Sequence, residues 1–517
     1  MRLLLPPQIS AAAFERALAA FGNVVGRQWV LATDQDRDSY LDAYAPGDAE
    51  THAPSATIAP ASVEQLQAVV RLANAHRIPI WPISRGKNFG YGGSAPRMAG
   101  TALVDLGRLN RIIEVNAELA YCILEPGVGF FDLYDYLQAN KIPLQIGMPG
   151  NAWGSVMGNA LERGFSAAGD HSSNICGLEV MLPSGELLRT GMGAMANSAT
   201  WPLFKNGFGP SWDQMFCQSN YGIVTKMCLW MQPEPEALIS VRIKLPRPED
   251  IAAWSDAVTP LRIARVLDGN VSVTSYQAAA TTRTQRNEWY TGKDSLPDSV
   301  IARIMAAYDV GWWNGTLRLS GYPEVNEAKL KLVEKAFASV PQADLHVSRW
   351  HKGDPGSGSP VPSVAALQII NWYGGRGGHL GFSPIMPPTG KLVLEQFQRT
   401  RRRFIEFGID YSGTFYHSGR AVANVNLMLY NRDDADLTRR TRALFSALVK
   451  DAAAAGYAEY RTHLSYMDEV AATFDYNHHA LRKLDATIKD TLDPNGILAP
   501  GKSGIWPRRY RAESFES

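Results

Sequence analysis

The alternation of apolar and polar positions changes period several times along the first third of the chain. Val63, Leu66, Val70 and Ala73 recur at helical spacing, so they share one face. Ser62 stands just ahead of them and Gln65 three residues further on, the signature of a capping box. The apolar run Ile78–Ile83 reads as a short buried strand, and a glycine-rich loop over 84–93 follows it. Strand-like runs come next at 101–106, 111–115 and 120–127, and 130–140 returns to helical spacing. Helices and strands mixed in this way predict an α+β fold.

A proline-rich opening followed by alternation over 232–245 marks a domain boundary. The middle of the chain mixes helices with alternating strands such as 422–431, and carries a Gly/Ser/Pro stretch over 351–363 that is expected to be mobile. Helical spacing resumes over 479–492, and the tail beyond it is too short to fold by itself. We therefore expect a first domain over residues 1–235, a second over 236–457, and a stretch 458–517 that packs back on the first. The length of 517 residues agrees with more than one core.

Charge adds mainly exclusions. With 51 basic and 50 acidic residues the formal net charge is +1, which gives no electrostatic footprint for nucleic acid or an anionic membrane. No apolar run is long enough to span a bilayer, and the opening MRLLLPPQIS is too short for a secretory apolar core. The expected location is the cytoplasm, with the periplasm left open. Cys122, Cys176, Cys217 and Cys228 form no C-x-x-C pair, so neither a zinc site nor dithiol chemistry is expected, and the thiols should be reduced.

Several segments carry candidate chemistry. Gly496–Ser503 matches the phosphate-loop pattern letter for letter, but a helix precedes it and no helical periodicity follows, so it cannot work as one. Gly191–Ala196 resembles a dinucleotide fingerprint without a βαβ unit around it; a turn is the better reading. The loop 84–93 is a stronger signal. It holds Gly86, Gly90, Gly92 and Gly93, which let backbone amides approach an anion, and Arg85 and Lys87 add positive charge. A second glycine-rich stretch runs from Gly154 through Gly158 and Asn159 to Gly164, Gly169 and Asp170. Two such stretches in one α+β domain suit a cofactor that carries a pyrophosphate. His379 follows four glycines, and Tyr460, Arg461 and His463 sit side by side; taken alone, the first reads as a structural histidine and the second as a surface cluster.

Together these segments resemble the vanillyl-alcohol oxidase / p-cresol methylhydroxylase flavoprotein family. The resemblance rests on WPISRGKNFGYGGSAPR (81–97), GSVMGNALERG (154–164), QSNYGIVTKM (218–227), GGHLGFSP (377–384), EYRTH (459–463) and DPNGILAPGKSGIW (493–506), which fall in family order nearly end to end. It implies a two-domain FAD-binding fold whose second domain, an antiparallel sheet with helices, caps the flavin. It also implies hydride abstraction from the benzylic carbon of a para-substituted phenol, through a quinone methide. Tyr91, Tyr460 and Arg461 stand where the family binds the phenol as its anion. His379 stands where the oxidases bond covalently to the flavin, and Ile370 takes the place of the tyrosine that the p-cresol enzyme uses. The implied FAD contacts are Ser84, Arg85, Gly86, Lys87, Asn88, Gly90, Gly92 and Gly93; Pro149, Gly150, Gly154, Ser155, Gly158, Asn159, Gly164, Gly169 and Asp170; Gly222 and Val224; and Arg461 and Lys502.

The chain also departs from the family pattern. Gly150 takes the place of an aspartate that assists water addition and flavin attachment, and the loop from Phe165 to Gly169 is short. Both changes open room for a bulkier substrate, such as a lignin-derived lignan. Ala423 and Asn424 replace a histidine pair, and His417 is either a replacement base or a packing residue. The resemblance leaves two electron acceptors open, O2 or a c-type cytochrome or similar carrier, and implies a homodimer.

Overall fold

The computed structural model describes residues 4–511. The helix Val63–His76 begins where the Ser62 hydroxyl oxygen accepts the Gln65 amide at 3.2 Å. The reciprocal bond is displaced by one residue, because the Gln65 side chain accepts from the amide of Ala61 at 2.7 Å, not from that of Ser62. Leu66, Val69, Val70 and Ala73 form the buried face, with Val63 at its margin. This helix and the helix Ala11–Val25 pack together against a four-stranded sheet ordered Val30–Leu31, Thr57–Ile58, Ala102–Asp105, Ile80–Ile83. A second, five-stranded antiparallel sheet runs in the order Leu187–Arg189, Ile175–Met181, Ile223–Trp230, Tyr121–Leu124, Ile112–Asn116.

From Ala237 onward the strands enter a nine-stranded antiparallel sheet. Alternation is plain in Trp313–Gly321, where Trp313, Gly315, Leu317 and Leu319 are buried. These side chains face the helices Ile251–Ile263 and Pro323–Phe337, with Trp254 fully buried among them. The strand Val422–Asn431 lies centrally and pairs with Gly413–His417, Gly377–Phe382 and Pro384–Met386. The short strand Ala458–Glu459 closes this sheet, so the return to the first sheets begins at Tyr460. The stretch 351–363, expected to be mobile, is tied at both ends: Lys352 N donates to Glu236 O at 2.9 Å, and Ser363 O accepts from Ala152 N at 3.1 Å.

The tail joins the first sheet through backbone bonds. Ile80 N donates to Ile497 O and Ala499 N to Ile80 O, each at 2.7 Å. Lys489, at the end of the helix Tyr476–Leu492, is fully buried and pairs with Asp493 at 2.7 Å. It also donates to the carbonyls of Asn220 and Leu498. The phosphate-loop lookalike therefore belongs to a clamped return segment, and its Lys502–Gly504 is a single 3₁₀ turn with no α-helix after it among the described residues. Gly191–Ala194 is likewise a 3₁₀ turn. All four cysteines are free and buried, and burial pushes the Cys122 thiol up to about 12. Among the described residues no helix is long and apolar enough to cross a membrane, and no group of acidic, histidine and cysteine side chains could hold a metal.

Candidate active site

A cavity of about 360 Å³ runs along the first domain and is lined on its far side by Tyr460 and Arg461, which directly follow the last strand of the nine-stranded sheet. The loop 84–93 forms one wall. The amides of residues 85–90 donate to no protein acceptor among the described residues, whereas those of Tyr91 and Gly93 both donate to Asn88 O. A run of free amides beside a cavity is an anion cradle, and it fits the pyrophosphate of FAD. The opposite wall holds Pro149, Gly154, Ser155, Gly158, Asn159 and Gly164; Gly222, Val224, Tyr460, Arg461 and Lys502 complete the enclosure.

Not every expected contact meets the cavity. Ser155 lines it, but its hydroxyl is spent on Pro126 O at 2.6 Å and on capping the helix Val156–Leu161 at the Gly158 amide. Asn159 is held through its carbonyl by His171 at 2.6 Å. Gly169 and Asp170 stand off the wall: with Phe165 and Ser166 they form a two-strand hairpin, and Asp170 caps the 3₁₀ turn that follows. The hairpin is the short loop expected from the sequence, and its tip accepts Asn270 N at Ala167 O, 3.0 Å. Gly150 is exposed, and a Cβ there would meet only Ala366 at 3.6 Å. Gly92 packs under Leu464, where a Cβ would have no room.

The loop 84–93 lies against the strand Gly377–Phe382. Tyr91 Oη sits at Gly381, 3.4 Å from where a Cβ would stand, and Gly90 sits at His379. The imidazole meets the ring edge of Tyr44 at 5.3 Å. Neither ring nitrogen has a hydrogen-bond partner among the described residues, and Nδ1 is buried. Burial lowers the imidazole to about 4, so it is neutral at physiological pH. A neutral, unpartnered imidazole suits bonding to an electrophile. Ile370 lies against Gly377, two residues before His379, and Tyr373 Oη accepts the Asp410 amide at 3.0 Å inside the cap.

Three tyrosines and one arginine gather beside this strand. Arg461 lies over the Tyr91 ring at 4.0 Å and donates to the Asn88 side chain, while its Nε is buried and unpaired. Phe165 packs against Tyr460 at 5.7 Å and against Tyr416 at 4.8 Å. Burial raises Tyr91, Tyr460 and Tyr416, and the charge of Arg461 works against that rise for the first two. Each keeps some free surface although protein surrounds it, so that surface faces an internal space and not bulk water. Burial also works against ionising Glu162, but Lys502 and Arg461 outweigh it and hold the carboxyl below its ordinary value. Glu459 has no such cation: its carboxylate takes only the Ser383 amide, at 2.7 Å, and burial raises it well above the ordinary value.

Sequence reasoning missed Tyr416, Glu162 and Glu459. Alternation in Gly413–His417 could have found Tyr416, because it places Thr414 and Tyr416 on one face and His417 on the other. His417 is fully buried on that other face, with Nε2 at 3.1 Å from Ser255 Oγ. It is a packing residue and not a base in the site.

The fold and the amide-lined cavity define an FAD-linked oxidoreductase. The chain matches the FAD binding domain over residues 54–191 and the C-terminal domain of FAD linked oxidases over 316–503. It belongs to the vanillyl-alcohol oxidase / p-cresol methylhydroxylase family of flavoproteins. It is 34% identical to the 4-cresol dehydrogenase [hydroxylating] flavoprotein subunit of Pseudomonas putida, covering 97% of this chain and 98% of that one. Among solved structures it resembles 4-ethylphenol oxidase from Gulosibacter chungangensis in complex with isoeugenol, with a TM-score of 0.93 and 34% identity over 98% of this chain and 100% of that one. It also resembles substrate-bound p-cresol methylhydroxylase, with a TM-score of 0.92 and 33% identity over 97% of this chain and 99% of that one.

Proposed function

We propose that this enzyme oxidises or hydroxylates para-substituted phenols at the benzylic carbon, by hydride transfer to FAD through a quinone methide. The observation that carries the reading is the placement of Arg461 over Tyr91, next to Tyr460, in a pocket closed by Phe165 and Tyr416. The names of the relatives, a 4-cresol dehydrogenase and a 4-ethylphenol oxidase, support the substrate class.

A benzylic C–H is a poor hydride donor until the ring pushes electrons, and a para phenolate does this. The free phenol has a pKa of about 10, and lowering it by ~3 units takes about 4 kcal/mol of preference for the anion. Two tyrosine hydroxyls and a permanent cation in a dry pocket reach that scale. FAD, when bound, supplies the hydride acceptor. The substrate phenolate then becomes a neutral quinone methide, to which water adds or from which a proton leaves.

Four narrower points belong to the same proposal. His379 bonds covalently to the flavin, supported by its free, neutral imidazole. Residues 1–235 with the return segment form the FAD-binding domain and the middle of the chain the cap; the partition of the sheets supports this with the return starting at Tyr460, two residues after the expected 458. The substrate extends beyond a single ring, as in a lignan, supported by the open space at the cavity-lining Gly154, where a Cβ meets nothing within 4 Å. Electrons leave to O2 or to a c-type cytochrome, and the protein works as a homodimer, as the family resemblance implies. Anaerobic mixing of the yellow holoprotein with 4-ethylphenol tests the core reading: rapid bleaching supports it, and persistent colour refutes it. Turnover of vanillyl alcohol against pinoresinol tests substrate size. An oxygen electrode beside an artificial acceptor dye separates the acceptors.

A further inference from the structure

Gly90 and His379 belong to different parts of the chain, yet the backbone of one lies against the side chain of the other. A Cβ on Gly90 would stand 2.2 Å from His379 Cε1, 2.6 Å from Nδ1 and 3.1 Å from Nε2. Real Cβ atoms do not come so close, so the imidazole occupies the space that any other residue at 90 would fill. The ring of Tyr44 also meets the imidazole, edge to face at 5.3 Å, and stacks on Phe89 at 5.0 Å. Tyr44 is itself fixed. Its amide donates to Asp42 Oδ1 at 2.9 Å, Asp42 pairs with His463 at 2.8 Å, and its carbonyl accepts the hydroxyl of Tyr430, which lies across from Gly378 in the next strand.

We propose that Gly90 and Tyr44 form a clamp that holds the imidazole of His379 in the one orientation from which it bonds to the flavin. Gly90 and Tyr44 are positioning residues, and the missing Cβ at 90 is the specificity device that admits a histidyl link. This rests on the histidyl attachment proposed above. Attachment joins an imidazole nitrogen to the 8-methyl carbon of the flavin. One N–H and one C–H are lost, their two protons and two electrons pass to the flavin, and the acceptor that closes each turnover then takes them. Gly90 also has φ near +79°, so a side chain there strains the backbone as well as crowding the ring.

The test compares wild type, Gly90→Ala, Tyr44→Ala, His379→Ala and the double variant Gly90→Ala/His379→Ala, each purified with FAD. The readouts are intact mass and flavin fluorescence on a denaturing gel, which need no turnover. Wild type should carry one flavin per chain, and Gly90→Ala should show at least a tenfold lower covalent fraction while still yellow before denaturation. Tyr44→Ala should fall in the same direction. The double variant should fold and hold FAD as His379→Ala does, because removing the ring relieves the contact. If Gly90→Ala alone yields no soluble protein, recovery in the double variant supports the clamp and continued insolubility overturns it. A linked wild type with an equally linked Gly90→Ala overturns the clamp and spares the histidyl reading. An unlinked wild type overturns both.

Discussion

Arg461 lies over the ring of Tyr91 with its Cζ 4.0 Å from the centroid, while its Nε is buried without a partner. An unpaired buried donor is unfavourable in the free protein and becomes an asset when an anion arrives. Replacing Arg461 by Ala, or Tyr91 by Phe, should slow anaerobic flavin reduction by a 4-alkylphenol at least tenfold, equivalent to about 1.4 kcal/mol of transition-state stabilisation. An unchanged single-turnover rate would remove both residues from the phenolate site.

Glu459 is buried with a single backbone donor and no cation, and its folded pKa lies well above 4.5. Such a group contributes most to stability below its unfolded pKa, and the contribution declines as pH rises toward the folded value. Glu459→Gln keeps the shape and removes the ionisation. The melting temperature of the variant relative to wild type should therefore rise between pH 4 and pH 8, read by thermal scans. A pH-independent difference would mean that the carboxyl ionises freely in the folded protein.

Lys489 and Asp493 are both fully buried, and Asp493 also accepts the amides of Ile497 and Leu498. Removing one member of a buried pair costs on the order of 3–5 kcal/mol. Lys489→Met should lower the melting temperature by several degrees and weaken FAD retention when combined with His379→Ala, measured by flavin release on dilution. Retention equal to that of His379→Ala would separate the tail clamp from the cavity.

Gly150 is exposed between the cavity-lining Pro149 and Asn151, and the lack of a side chain there is the sequence basis for a bulky substrate. Gly150→Leu should cut turnover of pinoresinol at least fivefold while changing that of 4-ethylphenol less than twofold. Equal losses on both would place Gly150 in general support of the site and not in size selection.

The elements governed by local pattern were legible in the sequence. The Ser62 cap and the strand Val422–Asn431 follow from spacing that a single segment contains. The decoy at Gly496–Ser503 was rejected by context, because a phosphate loop needs a helix after it. What remained hidden depends on contacts between distant segments. No spacing rule shows that Glu162 pairs with Lys502 or that Tyr416 meets Phe165, since those pairs form only when two sheets and a tail come together. Asp170 shows a local use that no glycine-rich context reveals: its carboxylate caps a turn off the cavity wall.

The cavity wall is drawn from residues as early as Trp81 and as late as Lys502, and the tail adds its backbone directly to the strand at Ile80. The two ends of the cavity wall are thus joined through a single strand edge, so the enclosure depends on the tail that supplies Ala499 and Lys502 as much as on the domain that supplies its floor.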